Sequence, residues 1–390
     1  MSGQSLVAVP PIAEYAQRLG TWLDDNRARY GRSGNPPAST EQKAEAGAEL
    51  LSALYAAGWN RCGFPVAAGG LGGDARYRGV LYDEIARHGY DLAPQFVSTE
   101  TLLPAVIAFA PELAARWGPA FLAGRELWSQ GFSEPESGSD LASLRCRAVP
   151  AESGGQAGWT VNGQKIWTSD GHVSQRIALL ARTGTPESRH RGLSMFMVDM
   201  DAPGLTVRPV RLSSGHNEFA EVFFDDVFVP AGRIVGQPGE GWAVAMYLMQ
   251  YERGFYAWQR QAILAAKLDR LRAGLTAADP DACRRLGEAS LALAALRARS
   301  ASTVARLAAG ETIGPEASID KVLLAEAERQ VSDAARDTLR GLLVTSDDAA
   351  AAEWRSYWFF SRAASILGGT QEIQRSIIAD HVLGLPKEAR

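Results

Sequence analysis

The stretch that decides the fold is Trp128-Ser129-Gln130-Gly131-Phe132-Ser133-Glu134-Pro135-Glu136-Ser137-Gly138-Ser139-Asp140-Leu141, because the chain changes character there. Before it, residues 12–128 are rich in Ala, Leu and Glu, and Glu49, Leu50, Leu51, Leu54 and Tyr55 recur at spacings near three and four, the period of one helix face. After it, Trp159-Thr160-Val161, residues 193–198, Leu205-Thr206-Val207 and residues 221–229 are short apolar runs parted by Gly, Pro, Asn and Asp, the pattern of strands and turns. Beyond Gly241, long Ala/Leu-rich segments return, broken near Asp279-Pro280 and at residues 310–315, with room for four or five bundled helices. The order α, β, α predicts an α+β protein with a helical part at 1–127, a β-barrel-like part at 128–240 and a helical bundle at 241–390.

At 390 residues the chain is longer than one hydrophobic core usually serves. Its apolar share of 46% and charged share of 22% are those of a globular protein, and no apolar run is long enough to cross a bilayer. Residues 1–20 intersperse Gln4, Pro10, Pro11, Glu14 and Arg18 among apolar residues, so no secretory leader is expected and the expectation is cytoplasmic. A net charge of -4 without a basic stripe argues against a nucleic-acid partner. Cys62, Cys146 and Cys283 are far apart and read as packed thiols rather than a disulfide framework. The five histidines show no HExxH or other tight pair, so no metal is expected. Glycines at 69, 70, 72 and 73 lack a strand before them and a Lys-Ser/Thr after them, which favours a flexible turn over a phosphate cradle.

The stretch quoted first resembles the first signature of the acyl-CoA dehydrogenase family. The segment Asn162-Gly163-Gln164-Lys165-Ile166-Trp167-Thr168-Ser169, the segment Glu221-Val222-Phe223-Phe224-Asp225-Asp226-Val227 and the segment Gly368-Gly369-Thr370-Gln371-Glu372-Ile373-Gln374-Arg375 match further family motifs in the family's order. With Ala57-Gly58-Trp59 and Asp83-Glu84-Ile85-Ala86, the resemblance spans nearly the whole chain. It implies FAD-dependent α,β-dehydrogenation of an acyl thioester on coenzyme A or a carrier protein. Electron-transfer flavoprotein would be the acceptor, and the assembly a homodimer, homotetramer or heteromer.

An isoalloxazine needs an apolar face for stacking and donors at its edge, where reduction places electron density. The resemblance assigns Gln130, Phe132 and Ser133 to the flavin border, Trp167 to ring packing, and Ser169, in the usual Thr position, to the N5 side. Taken alone, Trp167 would read as a half-buried strand residue. Thr370 and Glu372 match positions near the flavin or its diphosphate, although a carboxylate suits a diphosphate poorly. Ser139 matches a contact to the pantetheine arm, with Asp140 holding the turn.

Taking a proton from Cα requires a sheltered carboxylate and donors for the enolate-like oxygen. The commoner family location for that base holds Gly368 here, whose backbone N–H remains able to bind the thioester oxygen. The other location, used by isovaleryl- and long-chain-type relatives, falls in Met249-Gln250-Tyr251-Glu252-Arg253 and makes Glu252 the expected base, with Arg253 beside the substrate. Glu252 also reads as half of a surface Glu-Arg pair. Tyr247, Tyr251, Phe255, Tyr256 and Trp258 read equally as the lining of a pocket for a ring-bearing acyl group and as core.

Two departures qualify the resemblance. Residues 259–274 lack the Arg-x-x-Phe-Gly string that reaches a neighbouring subunit's FAD, and Leu339-Arg340-Gly341-Leu342-Leu343 replaces a Gly-Gly-x-Gly segment, which points to the bacterial catabolic or biosynthetic branch. Two other functions stay open: a flavin-poor, non-catalytic partner in a heteromeric dehydrogenase, and an oxygen-using acyl-CoA oxidase or monooxygenase relative. A serine hydrolase lacks support, since no G-x-S-x-G elbow occurs.

Overall fold

The computed structural model describes residues 6–32, 39–274, 279–346 and 348–386, so the first five residues of the stretch read for a leader lie outside it. Five helices come first: α1 Ile12–Tyr30, α2 Thr40–Ala57, α3 Ala75–Arg87, α4 Pro94–Phe109 and α5 Pro111–Leu122. Their ends follow local chemistry. Ser39 caps α2 by accepting from Gln42 N, Gly58 ends it at φ 89°, and Asp74 caps α3 by accepting from Arg76 N. The apolar spacing read around Leu50 becomes one buried face, with Leu50, Leu51 and Leu54 inside.

The strands are β1 Trp128–Gly131, β2 Arg147–Ser153, β3 Gln156–Ser169, β4 Arg176–Arg182, β5 Leu193–Asp199, β6 Leu205–Val210, β7 Phe219–Pro230 and β8 Ile234–Val235. They form one eight-stranded sheet in the order β6-β7-β3-β2-β4-β5-β8, with β1 added parallel to β4. The two-residue period of β4 decides how the sheet sits. Ile177, Leu179 and Ala181 join Phe196, Val222 and Val229 in a core within the sheet domain, whereas Ala178 and Leu180 face the helices with Trp117, Phe121 and Leu248. At that junction Trp128 stacks on Phe121, with ring centroids 4.0 Å apart and planes at 7°.

From Gly241 the chain is helical again: α6 Gly241–Gln250, a π-helical turn at Tyr251–Phe255, α7 Tyr256–Ala273, α8 Pro280–Ala308, α9 Ala317–Leu339, the short α10 Leu342–Thr345, α11 Ala349–Ala363 and α12 Gln371–Ile377. Asp279 accepts from Asp281 N and Pro280 takes the first helical position, so the break read from Asp279-Pro280 is the start of α8. Leu268, Leu296, Leu324 and Val331 build the bundle's own core.

Three readings are sharpened or corrected. Phe255 and Trp258 pack among the N-terminal helices, with Trp258 Nε1 donating to Gly79 O at 3.0 Å, so these two rings are core. Cys62 and Cys146 are buried, whereas Cys283 is exposed on α8 rather than packed. The glycine turn at 69–73 is closely packed: a Cβ on Gly70 would lie 2.0 Å from Phe64 O, which explains that glycine by contact.

Candidate active site

Two of the quoted motifs are joined by a buried ion pair. Lys165 in β3 is 0% exposed; its Nζ donates to Glu134 Oε1 at 2.7 Å and to Phe132 O at 3.0 Å. Glu134 also accepts from Arg145 N at 2.6 Å and Cys146 N at 2.8 Å, so both carboxylate oxygens have partners. Ile166 N donates to Ser133 O at 3.0 Å, which ties the turn after β1 to β3. Phe132 is buried, and Ser133 is half-buried at the rim.

A bulge in β3 re-aims the next residues. The β3–β7 register shifts between Lys165 and Thr168, and Trp167 sits there at φ 60°, rare for a bulky side chain. The consequence is an indole 51% exposed, held edge-on by Phe219 at 5.9 Å, while Thr168 turns inward and Ser169 outward. An aromatic face presented to solvent by strained backbone is characteristic of binding surfaces. Ser139 is exposed beyond the first signature. The turn there is held by Ser137 Oγ and Ser143 Oγ, both donating to Asp140 O, while the Asp140 side chain pairs with Arg189 at 3.0 Å.

The opposite wall comes from the helical bundle. Glu252 lies in the π-helical turn, where one extra residue per turn rotates side chains off the regular helix face; such turns favour functional sites. Half-buried, its Oε2 accepts from Gln130 Nε2 at 3.0 Å, so the carboxylate meets the first signature across 122 residues of chain. Arg253 turns elsewhere, donating through Nε to Gly368 O at 3.3 Å; burial pushes its guanidinium down, opposed by the Glu252 charge. The adjacent Glu252 and Arg253 thus engage separate partners rather than forming a surface pair.

Gly368 and Gly369 have φ of 64° and 97°, the left-handed region where glycine is favoured. A Cβ built on Gly368 would lie 2.8 Å from Glu252 Oε1 and 3.4 Å from Lys321 Cε, so the carboxylate already fills the side-chain space of that position. Gln374 Nε2 fixes the loop by donating to Gly368 O and Gly369 O at 2.9 and 3.1 Å. Thr370 caps α12 by accepting from Ile373 N, and Glu372 in the first turn is exposed, with its carboxyl below the usual range because of backbone and Thr370 hydrogen bonds. A cavity of about 40 Å³ touches Glu252, Tyr256, Lys321, Glu328, Phe360 and Leu367, a space suited to water rather than an acyl chain.

The residues expected from sequence therefore fall on two walls. Gln130 and Glu252 are bonded directly, and Arg253 reaches the Gly368 loop; Trp167 and Ser169 lie on the sheet side, Ser139 on the exposed turn, and Thr370 and Glu372 on α12. Sequence reading missed Glu134 with Lys165, Gln374 and Lys321. The first pair carried a signal, a lysine at an inward position of a strand, which demands a buried partner. Lys321 carried none, because its neighbours come from three separate helical segments.

Comparison with known proteins closes the question of kinship. Residues 129–227 match the family model "Acyl-CoA dehydrogenase, middle domain" and residues 239–383 match "Acyl-CoA dehydrogenase, C-terminal domain". A Mycobacterium tuberculosis protein named acyl-CoA dehydrogenase IpdE1 is 38% identical, over 97% of this chain and 99% of that one. In structure, the Tcur3481-Tcur3483 steroid ACAD shares the fold at TM-score 0.79 and 24% identity, covering 100% of both chains. The ChsE4-ChsE5 complex from Mycobacterium tuberculosis does so at TM-score 0.77 and 25% identity, covering 98% of this chain and 100% of that one. Nearly full-length likeness, the two matched domains and the α, β, α architecture lead to one conclusion: this chain belongs to the acyl-CoA dehydrogenase family of flavoprotein oxidoreductases.

Proposed function

We propose that the chain oxidises an acyl-CoA to its trans-2-enoyl thioester, with Glu252 as the base that takes the proton from Cα. The observation that carries this reading is the placement of the Glu252 carboxylate in the side-chain space of Gly368, which brings the family's two base locations to one point. Gln130 orients the carboxylate by donating to one oxygen, leaving the other toward the Gly368 loop. The Gly368 N–H is assigned to the thioester oxygen, where it stabilises the charge that develops as the proton leaves. Ser139 and Arg253 are assigned to the substrate border.

The cofactor in this reading is FAD, and the residues fit it. Trp167 offers an exposed aromatic face on strained backbone, with Ser169 outward beside it and Gln130, Phe132 and Ser133 along the adjoining edge. Thr370 and Glu372 flank the start of α12, Thr370 being the better suited of the two to a diphosphate. Bound FAD would supply the acceptor for the hydride leaving Cβ. Electron-transfer flavoprotein is proposed as the later electron acceptor, the division at 1–127, 128–240 and 241–390 as the domain frame, and the cytoplasm as the compartment; among the described residues no helix is long and apolar enough to cross a membrane.

Purified chain is expected to be yellow and to lose its oxidised-flavin band when mixed anaerobically with members of an acyl-CoA panel. Rapid reoxidation by air would move the assignment to oxygen chemistry. A second reading, a two-component assembly, is favoured by one structural relative that is itself a complex, ChsE4-ChsE5. A colourless chain that gains flavin only with a second polypeptide supports that reading.

A further inference from the structure

Behind the proposed base lies a charged cluster that the reaction as described leaves without a task. Lys321 in α9 is 5% exposed, and its Nζ donates to Ala364 O, the carbonyl at the C-terminal end of α11. A cation there is favoured by the helix dipole. From Ala364 the chain runs directly into the loop that carries Gly368. The same lysine flanks Glu252: its Cε and Glu252 Oε1 lie 3.4 and 2.8 Å from one point, the Cβ position of Gly368, and both residues line the small cavity.

The other charges around this pair come from every neighbouring element. Arg253, on the segment that carries Glu252, binds the Gly368 carbonyl. Tyr256 and Arg260 follow on α7, and Glu328 lies two turns beyond Lys321 on α9. Glu328 is matched locally: Arg260 lies 2.6 Å from its Oε1 and the Tyr357 hydroxyl donates to Oε2. Its charge is thus compensated within the bundle, and Glu252 is left as the carboxylate across the cavity from the Lys321 ammonium.

Resting on the reading of Glu252 as the base, we infer that Lys321 is a positioning residue. It holds Glu252 ionised between turnovers and anchors the Gly368 loop to the end of α11. A nearby cation stabilises a carboxylate over its neutral acid, so removing the ammonium raises the pH at which Glu252 takes up a proton. Burial lowers Lys321 itself to about 8, with the Glu252 charge opposing that shift. The influence therefore operates below about pH 8 and fades above it.

Two variants separate charge from packing. Lys321→Gln retains a donor for Ala364 O and removes the charge, whereas Lys321→Arg retains the charge. The protonated-carboxyl infrared band of Glu252, assigned by difference against Glu252→Gln, is titrated with pH in the purified flavoprotein. Lys321→Gln is expected to move its midpoint up by about one unit and Lys321→Arg to leave it near the wild-type value. The pH profile of flavin bleaching by an acyl-CoA that wild type oxidises should shift likewise, with about a tenfold lower rate on the acid limb and convergence above about pH 8. If neither variant moves the infrared midpoint, or both move it equally, the inference fails. An infrared shift in a chain whose flavin no acyl-CoA bleaches sustains the role of Lys321 and overturns the dehydrogenase reading instead. Should Lys321→Gln fail to fold, Lys321→Met serves in its place, and an unmoved midpoint there is equally fatal.

Discussion

Two buried lysines, Lys165 in the sheet domain and Lys321 in the helical bundle, show how the halves of the site are built. Lys165 is matched by a carboxylate at 2.7 Å and a carbonyl at 3.0 Å, and that carboxylate is in turn held by two backbone N–H groups. Lys321 donates to a carbonyl, while the carboxylate it faces, Glu252, is bound on its other oxygen by Gln130. The first arrangement is closed and structural; the second leaves a carboxylate with one oxygen toward the loop. A buried cation therefore takes its role from how completely its partner is occupied.

The largest expected effect comes from breaking the closed arrangement. Lys165→Met leaves Glu134 buried without its cation, and folding stability is expected to fall by about 3–5 kcal/mol, read by chemical denaturation. Pairing it with Glu134→Gln should recover part of that loss, because no unpaired charge then remains. If the single variant costs less than about 1 kcal/mol, the pair is not the weld between the motifs.

The sheet half was the more legible from sequence. Its strands follow from alternation and turn residues, and the resemblance rests on contiguous strings such as Trp128 to Leu141. The bulge at Trp167 was not legible, since a register shift against β7 depends on a strand far along the chain. The bundle half was legible as helices and, through the family's second base location, as far as Glu252. Its π-helical turn was not, because an extra residue per turn leaves no mark in apolar spacing. Nor was the meeting of Glu252, Lys321 and Gly368, which no local pattern records. The aromatic run around Glu252 shows the limit in the other direction: Phe255 and Trp258 are held by packing on the N-terminal helices.

A mid-sized effect tests the open arrangement. Gly368→Ala would place a Cβ 2.8 Å from Glu252 Oε1 at φ 64°, which displaces the carboxylate or the loop. Turnover is expected to drop by about 10–100-fold through misplacement of the base, with flavin retained. Unchanged turnover would show that the carboxylate works from some other position.

The smallest effect concerns the edge between the halves. Burial, aided by Glu218, lifts the Asp170 carboxyl to about 7, beside Ser169 and at φ 54°. A raised carboxyl favours the folded state fully at low pH and loses that contribution as pH rises through the folded value. Asp170→Asn keeps a residue type that tolerates this backbone. It is expected to stabilise by about 1 kcal/mol near pH 8 and not near pH 4, as thermal melts at the two pH values would show.

The proposed chemistry stands or falls on Glu252, and no residue at position 368, taking the substrate proton. Glu252→Gln, loaded with flavin and mixed anaerobically with an acyl-CoA that bleaches the wild type, tests this most directly in a stopped-flow spectrometer. The expected result is a yellow protein that still binds the thioester but bleaches about 10²–10⁴-fold more slowly. Bleaching at the wild-type rate would place the base elsewhere and contradict the assignment.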